Sequence, residues 1–166
     1  VGRAAAPREQ APAAPGVTFP PGLEHAGRGL VVASWAGTAV FSVVALATVI
    51  WLDTLAPVAI AVSLVQFALG CVWFGWAYLT AVNRSRTDLI GIGGLFFLAG
   101  SAPRAIRRHL LGSVAVQTTV AIAAAAARPF SSLAFGILAP MWSLGLAGVW
   151  GARHGVFARR GDDEAS

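Results

Sequence analysis

Charge is what this chain has least of. Of its 166 residues only 11% are Asp, Glu, Lys or Arg, where an ordinary soluble domain carries about 25%. The remainder is 57% hydrophobic, with a mean hydropathy of +0.71, a balance that speaks against a soluble single domain. A single cysteine, Cys71, rules out an internal disulfide framework and every multi-cysteine metal or iron–sulfur site, so the redox compartment is not written in the chain. Lysine is absent altogether. All twelve basic residues are Arg, which excludes a Lys-dependent phosphate loop and, with the abundance of Ala and Gly, has the look of codon bias in a high-GC genome. The pI of about 11.3 invites a nucleic-acid reading. The arginines, however, sit at the edges of apolar runs and not along one polar face, so no nucleic acid is expected as a partner.

What the chain does hold is long uncharged runs. Residues 30–52, 57–82, 110–127 and 131–150 contain no Asp, Glu, His, Lys or Arg, and each is long enough, at about 1.5 Å per helical residue, to cross a hydrocarbon core of roughly 30 Å. The expected architecture is an all-α integral membrane four-helix bundle over residues 30–151. Trp51, Trp73, Trp76 and Tyr78 near span ends suit an interfacial aromatic belt. A turn over residues 53–56 separates the first two spans, with Pro57 in the first helical turn, where an amide is dispensable. Residues 89–101 (LIGIGGLFFLAGS) would reach only about 20 Å as a helix, so they read as an interfacial or re-entrant segment between spans two and three. Residues 1–29 hold five prolines among small and polar residues and read as a disordered cytoplasmic tail. That stretch has no apolar run of signal length, so no cleavage or export is expected there; its first residue, Val1 and not Met, reads as a fragment or an alternative start codon. Residues 152–166 read as a second cytoplasmic tail.

Arginine counting chooses between four and five crossings, because retained positive loops stay on the cytoplasmic side. With four spans and the N-terminus inside, only Arg128 of the twelve arginines faces out; if 89–101 also crossed, the arginines would divide evenly. The four-span arrangement, with both termini cytoplasmic, follows.

Chemistry is sparse. Ion-driven transport calls for a titratable group inside the membrane, and the spans have none. There is no HExxH, no GxSxG and no phosphate-loop motif, and Gly91-Ile92-Gly93-Gly94 lacks the preceding strand and the third glycine of a dinucleotide loop. His25, His109 and His154 lie at or beyond span ends, away from where paired haem ligands would face each other. Cys71 reads as a small packing residue inside span two. Gln66, Gln117, Thr118 and Thr119 are the polar members of the spans and read as inter-helix hydrogen-bonding groups. No metal and no cofactor is expected.

Two constellations remain. The first is a basic collar of Arg84, Arg86, Arg104, Arg107, Arg108, His109 and Arg153, converging at the cytoplasmic face to bind anionic lipid or a partner. Arg104, Arg107 and Arg108 stand at i, i+3 and i+4 and share a helix face suited to phosphate. Asp88 either pairs with Arg84 one turn earlier or caps the segment after it. The second is a ridge of small residues, Ser143, Ala147, Gly151 and Gly155, for close helix packing, on a span where Pro140 predicts a kink or local unwinding.

The pattern NRSRTD, a Gly-rich apolar insert, PRAIRRH and ARPFSSLAFGILAPMWSLGLAGVWGARHG resembles the uncharacterised small multi-span inner-membrane proteins of high-GC bacteria, over roughly residues 30–160. The resemblance implies residence in a bacterial inner membrane and brings no catalytic residue with it. The functional expectation is a non-enzymatic accessory or scaffold subunit whose partners are membrane lipids and a membrane-protein complex or further copies of itself. The alternative is a small permease or lipid-handling transporter.

Overall fold

The computed structural model describes residues 19–159, and the parts of both expected tails beyond that range lie outside the described residues. Among the described residues five α-helices form: α1 (Arg28–Ile50), α2 (Leu52–Arg84), α3 (Ile92–Phe96), α4 (Arg104–Ala127) and α5 (Pro140–His154). A 3-10 helix, Ser132–Leu138, precedes α5, and a shorter one, Leu23–His25, precedes α1. Four stretches are long and apolar enough to cross a membrane: α1, α2, α4, and α5 together with its 3-10 lead-in. The protein is an all-α four-helix bundle.

The long helices run alternately up and down. Trp150 Nε1 of α5 donates to Ala26 O just before α1, and Arg84 at the end of α2 donates to Ala152 O near the end of α5. The start of α1, the end of α2, the start of α4 and the end of α5 therefore share one end of the bundle, the near end. At the far end, Arg128 Nε donates to Val49 O.

The helices extend past the apolar runs, which corrects several expected boundaries. The turn expected over residues 53–56 is helical, and Trp51 alone separates α1 from α2. Asp53 explains the early start, since a carboxylate in the first turn faces the positive end of the helix dipole. Pro57 consequently lies inside α2 and not in its first turn, where its missing amide leaves the Asp53 carbonyl without its usual partner. At the near end α4 starts at Arg104, so Arg104, Arg107 and Arg108 occupy its first turns. Long arginine side chains permit this, carrying the charge outward while the stem stays on apolar surface.

Residues 89–101 do not cross the bundle. They form the five-residue α3 and an irregular return that buries Leu95, Phe96 and Leu98 against α5, with Phe96 stacked on Phe74 at 4.2 Å. Ser101 Oγ closes the loop by donating to Gly94 O. The expected tail from residue 152 is also corrected. The helix α5 runs on to His154, and residues 155–159 fold back, Val156 N donating to Ser101 O at 2.9 Å and Leu89 N to Ala158 O at 2.8 Å. Pro140 does not kink a continuous helix. It occupies the first turn of α5, and Ala139 N takes the Gly136 carbonyl that the proline ring leaves unused.

Candidate functional site

Small side chains let the helices approach closely, as bundles in lipid require, because apolar burial alone gives helices no preference for one another over lipid. The helices α2 and α5 approach so closely that a Cβ on Gly145 would lie 2.6 Å from Gly70 O. Of the four ridge residues, Ala147 packs with Leu110 of α4 and with Leu98, while Ser143 points at Gln117. Gly151 passes the Leu95 carbonyl with no room for a side chain. Gly155 ends α5, its amide bonded to Gly151 O.

Between the far-end core around Phe41 and Leu133 and the near-end core around Phe96 and Trp150 lies a layer of polar groups that satisfy one another. Gln117, with 0% of its surface exposed, donates to Gln66 Oε1 at 3.1 Å and accepts from Ser143 Oγ at 2.7 Å. Gln66 Nε2 donates to Gly37 O at 2.8 Å. Ser34 and Ser113 share a hydrogen bond of 2.5 Å across α1 and α4. Thr118 bonds its own helix at Val114 O, and Thr119 faces outward. Cys71 is exposed on α2 and is not a packing residue: Gly70 takes the position facing α5, and the next residue is turned about 100° away from it.

The expected collar divides into two kinds of arginine. Arg84 is taken up by the fold. Its guanidinium pairs with Asp88 at 2.9 Å, donates to Ala152 O at 2.8 Å and Gly155 O at 3.3 Å, and lies 5.6 Å from the Phe157 ring centre. A cation on the last carbonyls of a helix is favoured by the dipole as well as by the hydrogen bonds. Arg153 lies over the Trp76 ring at 5.4 Å. Arg86 and His109 are exposed.

Arg104, Arg107 and Arg108 belong together. With Leu111, Gly112 and Ala115 they line a shallow, wide-open groove of about 560 Å³ along the face of α4. A second surface cavity, about 330 Å³ and apolar, lies between α2 and the α3 segment, bounded by Phe74, Tyr78, Ile90 and Phe96. A pocket between α1, α2, α4 and the 3-10 helix measures about 10 Å³, room for about one water. Among the described residues no three His, Cys, Asp or Glu side chains gather as a metal site would need.

The contacts of Arg84 with Ala152 and Gly155 and the packing of Phe157 were not readable from spacing. The one available signal was Phe157 itself, a large apolar residue in an otherwise small and polar stretch. By fold and composition the chain is of the multi-pass membrane class, with four helices able to span. No family model, curated protein or solved structure matches it.

Proposed function

We propose that this chain is a non-enzymatic accessory or scaffold subunit of a bacterial inner membrane, with both termini cytoplasmic, docking through its arginine-bearing end on anionic lipid or on a larger membrane complex. The observation that carries this reading is a closed interior beside an open cationic end. Gln117 donates to Gln66 and accepts from Ser143, Gln66 donates to Gly37 O, and the pocket between α1, α2, α4 and the 3-10 helix holds about 10 Å³, whereas Arg104, Arg107 and Arg108 face a groove. A permease needs the reverse, a polar path through the bundle. Charge supports this orientation, since Arg128 alone among the described arginines stands at the far end and retained positive ends stay cytoplasmic.

The test is recovery after mild solubilisation of native membranes, with crosslinking before extraction. A stoichiometric membrane-protein partner or a defined homo-oligomer is the expected result; repeated recovery of single copies with no neighbour crosslinked would sink the accessory role. Labelling of a Gln117→Cys variant by a membrane-impermeant thiol reagent would turn the reading towards the permease.

A further inference from the structure

The sequence alone suggests loose attraction of arginines to a charged surface; the groove on α4 is more particular than that. Residues 104, 108 and 112 recur at four-residue spacing, and 107, 111 and 115 stand beside them, so one face of a single helix passes from guanidinium groups to an apolar trough. Trp35 of α1 lies beside Gly112, where a Cβ would sit 3.8 Å from its ring. The charges are also in an unusual place. Three cations within the first five residues of a helix oppose its dipole, and α4 has no acidic residue in that turn. Its cap, Pro103, offers no side-chain bond, and the first helical amide with a partner is that of Arg107, on Pro103 O. The amides of Arg104, Ala105 and Ile106 therefore add to the positive potential of the guanidinium groups.

We propose that this groove is a binding site for one anionic phospholipid, its phosphate held by Arg104, Arg107 and Arg108 at the start of α4 and one acyl chain lying along Leu111, Gly112 and Ala115. The proposal rests on the reading of the chain as membrane-embedded. Guanidinium groups supply planar donors matched to phosphate oxygens, and the trough below them excludes a soluble anion as the preferred occupant, because a free phosphate leaves the apolar surface uncovered.

Native mass spectrometry of the full chain in mild detergent, titrated with phosphatidylglycerol, phosphatidylethanolamine or inorganic phosphate, tests it. The wild type should retain one phosphatidylglycerol, preferred over phosphatidylethanolamine and not displaced by inorganic phosphate. R107Q/R108Q should weaken binding roughly tenfold or more, while R28Q/R159Q, which removes equal charge at exposed positions outside the groove, should leave it unchanged. A115F keeps every arginine and adds bulk at an exposed position in the trough, so it should weaken binding comparably without disturbing the fold. Equal losses in the two arginine pairs, full binding by A115F, or displacement by inorganic phosphate would each overturn the site. A chain that holds its lipid but has no protein neighbour sinks only the accessory role, and one with a neighbour but no lipid sinks only this site.

Discussion

Arg84 and Gln117 show how much a single side chain holds when apolar burial cannot choose among helix arrangements. Arg84 has both a sequence neighbour just past the end of α2, Asp88, and the carbonyls of Ala152 and Gly155 at the end of α5. The Arg84–Asp88 pair is partly open to solvent, which screens it to about 1 kcal/mol, whereas hydrogen bonds involving a charged group are worth about 1.5–3 kcal/mol. The cross-helix contacts should therefore dominate. R84A is expected to cost about 2 kcal/mol in a detergent melt and D88A less than about 1 kcal/mol; equal losses would mean that the ion pair is what matters. Gln117 bridges Gln66 and Ser143. Inter-helix hydrogen bonds in membrane proteins average about 0.6 kcal/mol, and a buried partner left unsatisfied costs about 1–3 kcal/mol, so Q117L should destabilise by about 1–3 kcal/mol despite its similar size and greater hydrophobicity. A stabilised Q117L in reversible unfolding would show the polar layer to be dispensable.

At the scale of elements, the α5 face is decided by what lies opposite each glycine. Gly148 is pressed on by the Phe96 ring, while Gly75 on α2 has open space where a side chain would begin. Overpacking typically costs about 1–3 kcal/mol, so G148L should lower the melting temperature and release the α3 segment, detectable as faster proteolysis between residues 89 and 101. G75L should change neither. Identical behaviour of the two variants would remove the case for close packing of α3 on α5. The same comparison shows what could be read in advance. The thirteen apolar residues of 89–101 were too short to span, and length alone established that they would not cross. Their folding back onto α5 was not legible, because it depends on Gly148 and Gly151 leaving room more than fifty positions along the chain. The candidate site was half legible: helical spacing put Arg104, Arg107 and Arg108 on one face. Nothing in that spacing showed that Arg84 and Arg153 are engaged by α5 and Trp76 instead.

For the whole molecule, the alternating helices make a prediction about sidedness. Arg86 follows the near end of α2 and Arg128 closes the far end of α4. With Cys71 replaced by Ala, single cysteines at positions 86 and 128 should be labelled by an impermeant reagent from opposite faces of a sealed vesicle. Labelling of both from one face would refute a bundle that spans. Sealed vesicles of known orientation also assign the near end to the cytoplasmic or the opposite side.

The amino-acid order alone determined that four apolar stretches become helices, that the segment between the second and third cannot cross, and that the arginines gather at one end. These follow from run length and from the cost of placing charge in hydrocarbon, both local properties of the chain. Only the folded bundle decided which arginines are engaged internally and which line a groove. It also decided that Gln66, Gln117 and Ser143 close on one another, and that residues 155–159 belong to the fold. Those outcomes depend on backbone carbonyls and absent side chains on distant helices, and a carbonyl is the same group at every position until the packing brings a donor to it.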